Sequence, residues 1–234
     1  MHVIPHTVSP STGKRSGEWL LSGDATGEHR VRYAMQILFG LVALYFTALW
    51  SSNQQATDAE REAFVIMNTL PDALTPILFP AMQAGSLVAV FITGVFALLA
   101  GRPRLAGLIV LGGGSAWVLA KFVKRIVERG RPVDIVPDVV IRGAEQMGQG
   151  FPSGHAAVAA AMATVAGPYL SRKGQLLAWL VVALVGLARV YTGAHLPLDC
   201  VAGVLVGWIT GSAINLITAS WTAARSVDEA PAEG

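Results

Sequence analysis

The distribution of charge constrains this chain more than any other feature of its sequence. Lysine, arginine, aspartate and glutamate cluster, leaving long apolar stretches at residues 33–50, 77–100, 105–123, 155–170, 175–189 and 197–217. Only Lys121, Arg189 and Asp199 interrupt them, all near their ends. A helix needs about 20 apolar residues to cross a hydrocarbon core, and these runs approach or reach that length. Charged residues make up 14% of the 234 positions against 53% hydrophobic, and mean hydropathy is +0.53, a balance a soluble domain of this size does not need. The expected fold is therefore all-α: a polytopic membrane protein, a bundle of six transmembrane helices.

The remaining segments fit around that bundle. Residues 1–30 mix proline, serine, glycine and charge and read as a mobile cytoplasmic tail, with an interfacial turn around Trp19-Leu20-Leu21. No cleavable signal peptide is expected, because apolar sequence begins only after about thirty polar residues. The membrane domain takes residues 31–218, and 219–234 form an acidic tail. Asp58 to Asn68 sets Ala63, Phe64 and Met67 opposite Asp58, Glu60, Arg61 and Glu62, which predicts a helix lying on the membrane surface or a partner-binding loop. Gly112-Gly113-Gly114 predicts close helix contact or a local break. Gly203, Gly207 and Gly211 form a small-residue stripe, read as packing inside the bundle rather than as a dimer interface. Cys200, the one cysteine, excludes an internal disulfide and a cysteine-built metal site, and reads as a small buried residue. A formal net charge of +2 gives no sign of a nucleic-acid partner.

Six spans put both termini on one side, and the short turns Arg102–Arg104 and Arg172–Lys173 place that side in the cytoplasm. Lys121, Lys124, Arg125, Arg129, Arg131 and Arg142 then fall outside, against the positive-inside trend, and an anionic ligand would account for them. Lys124 and Arg131, about two helical turns apart, combine a point charge with a planar fork, a pairing suited to phosphate oxygens; a lipid-headgroup anchor is the plainer alternative. Pro152-Ser153-Gly154-His155 predicts a helix capped by Ser153 whose N-terminus faces an anion, with His155 in its first turn, although the same residues also describe an ordinary capped helix. His195 and Asp199 stand at i and i+4, where a carboxylate can fix the imidazole tautomer and leave the other nitrogen free to attack; Arg189 closes the preceding span. Two histidines, a carboxylate and three cations at one membrane face ask for phosphoryl transfer without a metal. The sequence contains neither a His-Glu-x-x-His zinc pattern nor a Walker loop.

Lys124-x6-Arg131-Pro132, Pro152-Ser153-Gly154-His155 and Arg189-x5-His195-x3-Asp199 resemble, in order, the three signatures of the type 2 phosphatidic acid phosphatase superfamily, in its membrane lipid phosphate phosphatase branch. The resemblance implies His195 as nucleophile, Asp199 as its orienting group and His155 as general acid. Lys124, Arg131, Ser153, Gly154 and Arg189 would bind phosphate, and neither metal nor cofactor would take part. The family usually carries serine before the third-motif arginine; here it is Ala188, so one phosphate contact is in question. The implied protein is a multi-pass enzyme of the bacterial plasma membrane with its site outside. Its substrate would be a lipid phosphate in the bilayer, polyprenyl diphosphate being favoured over phosphatidylglycerol phosphate and phosphatidic acid. The loop over residues 125–151 is expected to cover the site. A phosphotransferase, a binding or transport protein with a degenerate site, and a vanadate-dependent haloperoxidase are the alternatives. The oligomeric state is left open.

Overall fold

The computed structural model describes residues 23–52, 55–143 and 147–228. These residues form nine α-helices and no strand: α1 (Gly23–Ser51), α2 (Asp58–Asn68), α3 (Thr75–Gln83), α4 (Leu87–Leu99), α5 (Pro103–Val127), α6 (Pro132–Ile135), α7 (Gly154–Ala166), α8 (Arg172–Tyr191) and α9 (Pro197–Asp228). The turn proposed around Trp19 and the last residues of the acidic tail lie outside the described residues. Among those described, α1, α5, α8 and α9 are long and apolar enough to cross a membrane; α2 and α3, bent by 73°, pass the same test only as a broken pair.

Two of the six expected spans are shorter than predicted. Residues 77–100 do not form one helix, because the chain breaks after Gln83. Ser86 takes extended angles there and its side chain accepts the Ala89 N–H, starting α4 as a separate 13-residue helix. Gly85 at the break lies so close against the His155 carbonyl that no Cβ would fit. Residues 155–170 yield α7, also of 13 residues. At about 1.5 Å per residue neither helix spans a full hydrocarbon core alone.

The short α7 is the centre of the bundle. Its alanines are buried against α5, α8 and α9. The glycine stripe of α9 makes this approach possible: Gly203 packs on the Ser153 carbonyl, Gly207 on the Ala157 carbonyl and Gly211 on Thr164. The small residues thus serve packing inside the bundle, as expected. Helix α5 passes through its three glycines unbroken, with Gly112 against Val165 and Gly113 against Val90. Around this core, α1 exposes Leu38, Phe39, Val42, Tyr45, Phe46 and Leu49, while α4 exposes Val88, Phe91, Ile92, Val95 and Phe96. In water such belts would drive association; against lipid tails they are the natural outer surface.

Helix α2 departs from expectation in one respect: Glu60, grouped with the charged face, is buried with Phe64 and Asn68 along one stripe where the helix docks on α8 and α9. Phe64 packs with Val136, Val190, Leu196 and Cys200, so the lone cysteine is a buried apolar residue, as read. The Asn68 amide donates to the carbonyls of Val140 and Tyr191 at 2.9 and 3.0 Å, and its oxygen accepts the Val140 N–H at 2.9 Å. Asn68→Ala strands these backbone groups. It is expected to cost about 1–3 kcal/mol, read as a lower Tm in detergent.

Candidate active site

Three chain segments meet at one end of the bundle, and backbone hydrogen bonds fasten them together. After α5 the chain reverses through Glu128, which adopts a left-handed conformation at φ 50°. The Arg129 carbonyl then accepts the Gly150 N–H at 2.7 Å, and the Asp199 carbonyl accepts the Ser153 N–H at 2.8 Å. Gly150 fits against the Gly130 carbonyl and Asp199 Oδ2 because it has no side chain. The stretches around Lys124–Arg131, Ser153–His155 and His195–Asp199, far apart in sequence, are thereby laced into one structure.

The basic side chains divide by role. Lys124 Nζ, in the last turn of α5, donates to the Gln149 and Gly150 carbonyls, both at 2.9 Å. Arg131, preceding α6, donates from Nε to the Gly148 carbonyl at 3.1 Å and from Nη1 to the Ala194 carbonyl at 2.7 Å. That same Nη1 stands 3.2 Å from His195 Nε2. The backbone over residues 147–150 therefore lies on the two cations expected to take phosphate. Arg142 is a staple: it donates to the carbonyls of Asn68, Leu70 and Tyr191 and pairs with Asp72 at 2.8 Å. Lys121 sits over the Trp117 ring at 3.6 Å.

His195 is 2% exposed and directly follows Arg131's acceptor Ala194. A guanidinium can only donate, so the nitrogen facing it presents its lone pair, and the ring proton falls on Nδ1. Nδ1 lies 3.6 Å from Asp199 Oδ2, one small movement from a hydrogen bond. Burial holds the His195 pKa well below the ordinary histidine value, and the charges of Arg189, Lys124, Arg131 and His155 push it the same way. The imidazole is thus neutral at neutral pH, with Nε2 available as a nucleophile.

His155 and Arg189 line a cavity of about 210 Å³ with Phe79, Gln83, Thr192 and Ala194. Arg189 Nη1 is set by the Met82 sulfur at 3.0 Å. Gly154 opens α7 with no atom within 4 Å of where its Cβ would lie, leaving clearance beside the helix N-terminus. Ser153 occupies the N-cap position, but its hydroxyl makes no capping bond. Ala188 is fully buried among Leu78, Met82 and Tyr191, an apolar setting that suits its methyl group.

The sequence does not single out Arg129 or Glu60 as site residues. Arg129, grouped by sequence with the cations that an anionic ligand would explain, has its charge met within the protein. It binds Glu60 at 3.1 and 2.6 Å and Asp199 Oδ1 at 3.1 Å, all fully or almost fully buried. Asp199 Oδ2 accepts the Leu196 N–H at 2.9 Å, so each carboxylate oxygen of Asp199 has its own donor.

Comparison with known proteins identifies the family. The family model of the PAP2 superfamily matches residues 83–223. An undecaprenyl-diphosphatase from Sulfolobus acidocaldarius is 21% identical over 186 residues, covering 80% of this chain and 88% of its own. Among solved structures, LpxE of Aquifex aeolicus matches with a TM-score of 0.60 and 26% identity, over 66% of this chain and 93% of that one. The transmembrane PAP2-type phosphatidylglycerolphosphate phosphatase of Bacillus subtilis matches with a TM-score of 0.56 and 22% identity, over 81% and 95%. With the family match spanning most of the bundle and all three site segments, this chain belongs to the PAP2 superfamily of membrane phosphatases.

Proposed function

We propose that this protein is an integral membrane lipid phosphatase that removes the terminal phosphate of a polyprenyl diphosphate through a phosphohistidine. The observation that carries the reading is His195 itself: a buried neutral imidazole with Arg131 on Nε2 and Asp199 facing Nδ1. Substrate phosphate would draw Arg131, Lys124 and Arg189 onto its oxygens, with the α7 N-terminus and Ser153 beside them. Nε2 then attacks phosphorus as the P–O bond to the lipid monophosphate breaks, and His155 gives that oxygen its proton. In the second half, His155 takes a proton from water as the water attacks phosphorus, the P–N bond breaks and inorganic phosphate leaves.

The polyprenyl diphosphate reading is supported by the name of the Sulfolobus relative. Phosphatidylglycerol phosphate and phosphatidic acid are the other arms of the test. We place the site at the outer surface of the plasma membrane and the termini in the cytoplasm, with α4 and α7, each lengthened by its flanking segments, completing six spans. The basic turns beginning α5 and α8 lie at the opposite end of the bundle from the site, as the positive-inside rule asks.

The deciding experiment is phosphate release by purified protein from each lipid in detergent, with and without EDTA. Release that persists in EDTA is expected; no release from any lipid, or release abolished by the chelator, would sink this reading. His155→Ala should slow lipid substrates far more than activated aryl phosphates, which need little protonation on leaving; equal losses would remove His155 from its acid role. In the free enzyme, His195 stays neutral until the pH falls well below 6.5, so the acid-side fall in kcat/KM due to this group lies below that value. A fall centred at 6.5 would instead report an unperturbed histidine nucleophile.

A further inference from the structure

Resting on the phosphatase reading of the site, we infer that Glu60 and Arg129 are positioning residues for its chemical step, acting through Asp199. The three side chains form a buried ion chain. Glu60 holds Arg129 with both carboxylate oxygens, at 3.1 and 2.6 Å, and Arg129 Nη1 holds Asp199 Oδ1 at 3.1 Å. Relative exposures of these side chains are 3%, 0% and 0%. The Gln55 carbonyl takes a further Arg129 bond at 3.2 Å, and Glu60 Oε1 also accepts the Leu198 N–H at 3.1 Å, one residue before Asp199. Helix α2, the turn after α5 and the first turn of α9 are therefore joined at one point directly behind His195.

The charge count gives the chain a role beyond fastening. Arg129 and Asp199 alone would sum to zero. Ionised Glu60 leaves a net charge of −1 behind the imidazole in a site shielded from water. His195 is neutral while substrate binds and gains positive charge as its nitrogen bonds to phosphorus. The extra negative charge therefore favours the transition state and phosphoenzyme over the bound ground state. Geometry adds to this: with Oδ1 fixed by Arg129 and Oδ2 by the Leu196 N–H, Asp199 cannot rotate away from Nδ1. A purely structural ion pair would affect folding without this selectivity for the chemical step.

The test uses the full chain in detergent, with polyprenyl diphosphate as substrate and the burst of phosphoenzyme counting active sites. Glu60→Gln keeps the shape of Glu60 and one of its two acceptor oxygens but removes its charge. It should lower kcat per active site by about tenfold, leave KM within about twofold, and slow phosphoenzyme formation to match. Arg129→Lys should retain about tenfold more turnover than Arg129→Ala, because it keeps the charge between the two carboxylates. Losses from Glu60→Gln and Asp199→Asn should be less than multiplicative when combined, since both act on one unit. The inference is overturned if Glu60→Gln turns over at the wild-type rate per active site. It is equally overturned if the variants lose only folded active sites, with kcat per site unchanged. A wild-type protein that releases no phosphate would instead overturn the phosphatase reading itself, and this inference with it.

Discussion

His195→Ala is expected to abolish phosphate release, lowering kcat by about four orders of magnitude or more, while the protein still purifies as a folded bundle. The loss should be this large because no other group can take the place of Nε2. His155 lines a cavity with Phe79, Gln83 and Arg189, among different partners from those of His195, and Arg189 can only bind. The fold should survive because Arg131 keeps its bonds to the Gly148 and Ala194 carbonyls, and Asp199 keeps Arg129 and the Leu196 N–H. The variant should therefore bind lipid phosphate and form no acid-labile phosphoenzyme. Wild-type protein quenched during turnover should carry one. Residual turnover above about 1% of wild type would be too much for an enzyme lacking its nucleophile, and would move that role to another residue.

The site was more legible in the sequence than the bundle around it, for reasons that particular residues make plain. Lys124, Arg131, His155, Arg189, His195 and Asp199 stand at spacings that together resemble three family signatures, although each segment by itself also has a plainer reading, and the structure brings them to one end of the bundle. The division of residues 77–100 was harder to read. Hydropathy sees one uniform run there, whereas Ser86 starts a new helix and Gly85 yields space to His155, a contact made with a residue seventy positions away. On helix α2, the charge of Glu60 groups it with Asp58, Arg61 and Glu62, whereas it lies on the buried side. Glu60, Phe64 and Asn68 recur at helical spacing and mark the buried stripe, but a carboxylate on such a stripe makes sense only once its cation is known. Arg129 is that cation, hidden in a basic cluster where it looked like one more ligand for phosphate. Local pattern identifies groups that need a partner; which partner they find is decided by tertiary packing.

The packing of α9 on α7 gives a prediction whose sign separates helix propensity from bundle geometry. Alanine forms helix better than glycine by about 1 kcal/mol, so propensity alone predicts that Gly207→Ala stabilises α9. The structure predicts the reverse. A Cβ on Gly207 would fall within contact distance of the Ala157 carbonyl and 2.8 Å from both the Ala160 Cβ and the Ala161 nitrogen. These are backbone atoms or a Cβ, so no side-chain rotation can relieve the clash, and the two helices must separate. Overpacking of this kind costs about 1–3 kcal/mol, which should appear as a clearly lower Tm. Activity should fall further than stability does. Helix α9 carries Asp199 in its first turn with His195 just ahead of it, whereas α7 carries His155, so a shift of even about 1 Å between them can cost about a hundredfold in rate. Gly107→Ala and Gly114→Ala, where no atom lies within 4 Å of the added carbon, should leave both Tm and turnover at or slightly above wild type. If Gly207→Ala behaved like these two controls, α9 would not be seated on α7 as described. The convergence of His155 with His195 would then lose its structural basis.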